Sequence, residues 1–283
     1  YSQVSANVGN IDNKGVEFEI HTRNIEHKNF SWNTDFNIAW NKSEVTDLGG
    51  NDNVVLYYMG NGVNQNIAYL LLGQPLGVIK GYKTEIYKSW DEVYADDAVW
   101  VEDPLSMQTR PGMLKYVDQN GDGVIDDNDK VVLGQALPNI MGGFTNTFNY
   151  KNWSLTVFFN YALGGKIVNT NVTKLDTYQA GNNNSYADAL NAWRPANPII
   201  GDQGWAGGTK PIPASYSSQS TARQYTANVI DRWVEDGSYL RLKTLSLSYT
   251  VPEKFSRKIG MQRLILSLKA TNLWTLTEYR GFD

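Results

Sequence analysis

Apolar and polar residues alternate with a period of two along several stretches of the chain. From Ser31 to Asn41 the even positions are Trp32, Thr34, Phe36, Ile38 and Trp40, and the odd positions are Ser31, Asn33, Asp35, Asn37, Ala39 and Asn41. From Trp153 to Tyr161 one face carries Trp153, Leu155, Val157, Phe159 and Tyr161, and the other Ser154, Thr156, Phe158 and Asn160. Weaker alternation runs through Val16–Thr22, Phe144–Tyr150, Leu245–Val251 and Leu264–Trp274. Successive side chains of a strand point to opposite faces, so these stretches predict strands with one apolar and one polar face. Strands are expected near 14–25, 30–43, 139–150, 152–163, 238–250 and 262–274.

A soluble sandwich gives the same alternation, and two further features separate the architectures. Aromatic residues stand at both ends of the apolar faces, as in Trp32 with Trp40 and Trp153 with Tyr161. Eight residues at ~3.3 Å each, tilted by ~40°, cover about 20 Å, close to the ~25 Å apolar band between the aromatic girdles of a membrane barrel. Connection lengths also alternate. The turns Glu26–Asn29, Lys151-Asn152 and Pro252–Met261 are short, whereas 44–138 and 164–237 are long. Short periplasmic turns and long outer loops are the layout of an outer-membrane barrel, and paired strands running down and up keep every long loop outside.

Within 44–138 the pattern shows one more strand-like run, Gly77–Tyr87, and a short one at Met113–Val117. The short run lacks the ~9–11 residues a spanning strand needs. Segment 44–138 therefore reads as a large extracellular elaboration with its own small hairpin, although two extra spanning strands within it would preserve parity too. Segment 164–237 reads as a second long extracellular loop. Six spanning strands do not close a barrel, since single-chain bacterial barrels start at eight, and an open edge invites aggregation. The expected fold is all-β, a sector of a large antiparallel transmembrane β-barrel, with residues 1–283 a piece of a longer chain.

Composition narrows the function. The 25 Lys+Arg against 29 Asp+Glu give a net charge of −4 with no basic run, which argues against a nucleic-acid partner. No stretch approaches the ~20 apolar residues of a membrane helix, but the mean hydropathy of −0.42 is compatible with half-apolar barrel strands. There is no Cys, and the two His, His21 and His27, have no catalytic or zinc-ligand company. The carboxylate pairs Glu17/Glu19, Asp91/Glu92, Asp96/Asp97 and Glu102/Asp103 read as solvated faces rather than a glycosidase acid and base. Gly142-Gly143 and Gly207-Gly208 lack the strand–helix setting of a phosphate cradle. No enzyme activity is expected.

The sharpest motif is Asp118–Asp129, Asp-Gln-Asn-Gly-Asp-Gly-Val-Ile-Asp-Asp-Asn-Asp. Oxygen donors fall at Asp118, Asn120, Asp122, the Val124 carbonyl, Asp126 and Asp129, the spacing of a Ca²⁺ loop, with Gly123 at the sharp turn and Ile125 anchoring the loop to a core. Asp129 stands where helix–loop–helix sensors carry Glu, and no flanking helix pair is visible. A structural Ca²⁺ is expected, with an ion-free Asp/Asn/Gly turn as the alternative. Trp90, Trp100, Trp193, Trp205 and Trp233, with Tyr57, Tyr58, Tyr178 and Tyr216, offer flat stacking surface in the long loops. Of these, Trp90, Trp100, Trp193 and Trp205 are the candidate substrate contacts; packing of the loops on one another is the competing reading. Ala187–Trp193, with Ala189, Leu190 and Trp193 on one side, reads as a packed loop helix.

Together these stretches resemble the C-terminal part of the SusC/RagA-type TonB-dependent outer-membrane transporters of the Bacteroidetes. The resemblance is carried by Asn7–Glu17, Trp32–Leu48, Lys115–Asp126, Leu133-Gly134 with Pro138 and Gly142-Gly143, Ser238–Lys243 with Leu247–Pro252, and Thr271–Asp283, in the family's order. It implies a 22-stranded barrel in outer-membrane lipid, a SusD-like surface lipoprotein as cap, and import of oligosaccharides or peptides driven through the TonB complex. It places the plug and TonB box upstream of this chain and a final membrane strand downstream. The competing classes are a soluble calcium-dependent carbohydrate-binding β-sandwich, which would bury Trp32, Trp40, Trp153 and Phe159 in a core, and a glycoside hydrolase fragment.

Overall fold

The alternating segments assemble into one antiparallel sheet. The computed structural model describes residues 9–59, 65–100, 110–175, 186–197, 201–205, 208–211 and 229–281. Six long strands, β1 (Asn10–His27), β2 (Phe30–Asp47), β3 (Ile140–Tyr150), β4 (Trp153–Leu163), β5 (Tyr239–Val251) and β6 (Leu264–Thr277), lie side by side in chain order. All six expected strands are present, and β1 and β2 extend further at the loop end than their alternation indicated. β1 and β6 are the outer strands of the sheet, so it is open among the described residues.

Register puts like residues in rows across the sheet. One row runs Ile20, Phe36, Phe144, Phe159, Leu242 and Trp274, with the rings of Phe144 and Phe159 stacked at 4.8 Å. Nearer the short turns, Phe30, Tyr150, Trp153 and Tyr249 form an aromatic row, with Trp153 and Tyr249 in ring contact at 4.6 Å. Toward the long loops the face ends at Trp40, Ile140 and Leu163. Ten residues separate Phe30 from Trp40, about 25 Å along the barrel normal at ~40° tilt. No second sheet covers this face among the described residues: Trp40 is 43% exposed and Trp153 47%. That exposure contradicts the soluble-sandwich alternative, which needs both in a core.

Two local devices keep the rows aligned. Gly142 lies beneath the Tyr161 ring, where a Cβ would meet the phenol oxygen at 2.5 Å, and Tyr161 donates to the Asn37 carbonyl at 3.1 Å. At Lys243 the apolar positions change parity, from Leu240 and Leu242 to Leu245, Leu247 and Tyr249. Phe158 pairs with Thr244 and Phe159 with Leu242, so Lys243 is an extra residue, and across the other edge it faces both Asn272 and Leu273. A bulge restores the register that a strict period of two would have lost.

The opposite face is polar and tied by side-chain bonds, including His21–Asp35 at 2.7 Å, Arg241 to Thr275 at 3.1 Å and Ser248–Ser267 at 3.1 Å. The apolar face itself holds one polar row, Thr22, Thr34 and Asn146. These groups satisfy one another. Trp32 Nε1 and Thr34 Oγ1 both donate to Asn146 Oδ1, at 2.9 and 2.7 Å, Asn24 Nδ2 donates to Thr34 Oγ1, and Thr22 Oγ1 donates to Asn24 Oδ1.

The segment between β2 and β3 contributes no strand to this sheet. It holds a separate four-stranded sheet in the order Val131–Gln135, Val78–Gly81, Gln65–Leu71 and Asn53–Met59. The expectation of only two strand-like runs in this segment is thereby corrected: the hairpin Asn53–Met59/Gln65–Leu71 went unread because Val54–Met59 and Ile67–Leu72 are continuous apolar runs without alternation. Both long loops then build a single core. Ile67, Ile79, Leu114 and Ile125 from the first pack with Val172, Ile230 and Trp233 from the second. Tyr82 bridges in parallel to Ile230, and its amide donates to the Val229 carbonyl at 2.9 Å.

Replacing Asn146 with Ala removes the acceptor shared by Trp32 and Thr34 on the apolar face. In the full-length protein in lipid vesicles, urea unfolding is expected to show a loss of about 1–3 kcal/mol. Asn149→Ala on the polar face, which removes only a bond to Ser31 Oγ, is expected to change stability by less than about 0.5 kcal/mol. Equal losses for the two variants would contradict this assignment of faces.

Candidate functional site

The 118–129 loop is shaped by its own short side chains. Asp118 accepts from the Gly121 amide at 2.7 Å and the Gly123 amide at 2.8 Å, Asn120 Oδ1 from Asp122 at 3.0 Å, and Asp122 from Val124 at 2.8 Å. Asp and Asn curl the chain this way because their short side chains reach amides two or three residues ahead. Gly123 sits at φ 80°, in the left-handed region that a sharp turn there requires. Asp126 and Asp129 then close a capping box on the short turn Asp127–Asp129.

Asp129 is 0% exposed and accepts from the Gln119 and Asp126 amides, both at 2.8 Å, which clasps the two ends of the loop. Ile125 is buried in the shared core, and Lys130 pairs with Asp127 at 2.7 Å while lying over the Tyr82 ring. The Gly123 amide holds the Asp118 carboxyl below the usual carboxylate range, with the Gly121 and Asp122 amides adding. All six sequence-predicted ligand positions therefore lie on one ordered loop. Their carboxylates are turned onto the loop's own amides, and among the described residues no three acidic or imidazole groups stand together as a metal site.

The candidate substrate aromatics are dispersed. Trp90 opens the helix α1 (Trp90–Ala95) and stacks on Tyr94 with ring centroids 5.6 Å apart. Trp193 is buried, and its Nε1 has no partner. Trp233 is buried in the shared core. The side chains of Trp100, Trp205, Tyr57 and Tyr58 lie outside the described part of the structure, as do Tyr178 and Tyr216 altogether. The turn Ala187–Asn191 is 3₁₀, and Leu190 is exposed rather than packed beside Trp193.

A groove of about 700 Å³ separates α1 from Trp193, lined by Glu85, Lys88, Glu92, Lys115, Trp193 and Arg232. No motif announced it, because its walls come from segments far apart in the chain, around Glu85–Glu92, Lys115, Trp193 and Arg232. Behind it, Tyr87 donates to Asp96 at 2.5 Å and Lys115 pairs with Asp96 at 3.5 Å; burial, with Asp96 adding, pushes the Tyr87 hydroxyl up, so it stays a neutral donor.

No family model matches the chain. Sequence similarity is nonetheless extensive. The chain is 33% identical over its full length to TonB-dependent receptor P3 of Formosa agariphila, and 32% identical over 98% of its length to TonB-dependent receptor P26 of the same organism. It is 25% identical over 66% of its length to TonB-dependent receptor SusC of Bacteroides thetaiotaomicron. The chain spans 26% of the length of the two Formosa proteins. Among solved structures, the RagAB peptide transporter superposes over 98% of this chain and 27% of its own, with a TM-score of 0.68 at 21% identity. The RagAB peptide importer in its open-open state gives 0.65 over 97% and 26%.

The loop geometry sets two expectations. Asp129→Ala removes a buried carboxylate that accepts from two amides and is expected to cost the external layer about 1–3 kcal/mol, more than Asp118→Ala, whose side chain is less buried. Amide exchange of the 118–129 peptide in the full-length protein measures both. Because Asp118 titrates below its unfolded value of 3.8, its stabilisation is complete above that pH and is lost as pH falls through the lowered folded value. Exchange corrected for intrinsic rate is expected to be flat from pH 7 to pH 5 and to accelerate only below about pH 4; acceleration in the upper range would contradict the assignment.

Proposed function

Because this chain belongs to the SusC/RagA-type family of TonB-dependent receptors, we propose that it is a barrel sector of an outer-membrane importer. The observation that carries this reading is the uncovered apolar face, about 25 Å tall at ~40° tilt, bounded by an aromatic row at the short turns and by Trp40 with Ile140 and Leu163 toward the long loops, which has the dimensions of a membrane-embedded barrel wall. The two-residue turns face the periplasm, and the external layer formed by 44–138 and 164–237 stands outside the cell. The whole protein imports oligosaccharides or peptides with energy delivered through TonB, beneath a SusD-like lipoprotein that meets the external layer. The chemistry of the chain suits transport rather than catalysis: the polar face is a hydrogen-bonded wall, and the relatives are named receptors, not enzymes.

In the same reading the 118–129 loop takes a structural Ca²⁺. Six oxygen donors at the right spacing support it, and each carboxylate oxygen that accepts one amide keeps a second lone pair. Binding would require Asp122 and Asp126 to turn from the amides they now accept. The ion would stiffen a loop already clasped by Asp129, so it would tune the external layer rather than fold it.

Fractionation of cells expressing the full-length parent is the first test. Recovery in the outer membrane, solubilised only by detergent and co-purifying with a surface lipoprotein, is the expected result; a soluble secreted protein would refute the barrel reading. Adding Ca²⁺ to chelator-treated protein is expected to slow proteolysis within 118–129, and to leave Asp122→Ala unaffected. Identical cleavage with and without Ca²⁺ would remove the ion from the account.

A further inference from the structure

The three short connections at the periplasmic end differ in kind. β1 to β2 and β3 to β4 are joined by Lys28-Asn29 and Lys151-Asn152, polar turns of two residues. The β5–β6 connection instead runs from Pro252 to Arg263 and folds as a helical turn, α2 (Glu253–Ser256), continued by the 3₁₀ turn Arg257–Ile259. It is ordered by its own bonds. Phe255 N donates to the Pro252 carbonyl at 2.8 Å, Met261 N to the Ser256 carbonyl at 3.0 Å, and Ser256 is fully buried.

This ordered turn displays large apolar side chains: Phe255 is 58% exposed, Ile259 61% and Met261 46%. Around them stand Lys254, Arg257, Lys258 and Arg263, with Glu253 the one acidic residue, in a chain whose net charge is −4. Arg257 is neutralised by Glu253, Nε to Oε1 at 2.6 Å. That leaves Lys254, Lys258 and Arg263 as the cationic fringe. A groove of about 490 Å³ runs from Arg263 and Gln262 past Glu253 to Lys151 and Asn152. Lys151 itself lies over the ring of Tyr150, in the lower aromatic row.

Position supplies the occupant. The connection leaves β5 three residues beyond Tyr249, roughly 8 Å past the aromatic row at ~3.3 Å per residue and ~40° tilt. That is head-group depth, just beyond the aromatic row that bounds the apolar face. Apolar residues interleaved with Lys and Arg are how short amphipathic segments seat in an interface, the carbons among acyl chains and the cations at lipid phosphates. We infer that Pro252–Arg263 is an interfacial anchor, seating Phe255, Ile259 and Met261 in the inner leaflet and placing Lys254, Lys258, Arg263 and Lys151 on anionic phospholipid head groups. The inference rests on the barrel reading above and names a lipid partner for its periplasmic rim.

The test uses the full-length parent in a cysteine-free background, labelled with bimane at Ile259→Cys. It is reconstituted in nanodiscs of dioleoylphosphatidylglycerol or dioleoylphosphatidylcholine containing brominated lipid. Val157→Cys on the apolar face and Thr156→Cys on the polar face are labelled as references. The expected result is about twofold quenching at 259 in phosphatidylglycerol, less in phosphatidylcholine, and loss of that difference in the triple variant Lys254→Gln, Lys258→Gln, Arg263→Gln. Quenching at 157 without quenching at 259 would overturn the anchor and leave the barrel reading intact. Absence of quenching at 157 would overturn both. Shielding of 259 from lipid bromine and aqueous iodide alike would assign the face to a protein partner, and equal quenching in the two lipids would overturn the role of anionic head groups.

Discussion

The rest of the structure depends on register. In a β-sheet a slip of one residue turns every side chain to the other face, and here that error would put the Glu17, Asp35 and Lys269 side chains into the apolar band. The protein holds register with long, continuous ladders, 11 to 18 residues per strand, and with a bulge placed where the ladders would drift. Lys243 is the extra residue that lets Leu240 and Leu242 share a face with Leu245 and Leu247. Gly142 solves a related problem, giving the Tyr161 ring room to lie along the row instead of standing off it.

The same constraint explains how polar groups are handled on the apolar face. Thr22, Asn24, Thr34 and Asn146 form a continuous chain of hydrogen bonds that also captures the Trp32 indole. Across the sheet, on the polar face, bonds such as Ser248–Ser267 are single and local, as expected where solvent can replace a lost partner.

Above the sheet, two loops far apart in sequence make one body. Both segments contribute to one core, in which Tyr82 of the first meets Ile230 and Trp233 of the second. That core in turn positions the 118–129 loop through Ile125 and Lys130. The clasp at Asp129 holds the two ends of the loop together through the Gln119 and Asp126 amides. The groove beside Trp193 is a by-product of the same union, since α1, the Thr84–Ile86 strand and the residues around Arg232 meet only when both loops are folded.

What the sequence determined by itself was whatever repeats with a short period or depends on neighbours in the chain. Alternation through Trp32–Trp40 and Trp153–Tyr161 defines strands, faces and girdles, because facing is a local property of an extended backbone. The Asp118–Asp129 spacing defines a curled loop, because Asx side chains bond amides two or three residues away, and the family resemblance rides on those same local runs. Tertiary structure alone decided the rest. The apolar runs at Val54–Met59 and Ile67–Leu72 have no alternation to read, and their pairing with each other and with Val78–Gly81 is a contact between strands that neither run signals by itself. Trp193 and Trp233 look like exposed loop aromatics in the sequence, yet the fold buries both. Burial is settled by what a distant segment places on top of a residue, and no local pattern encodes that.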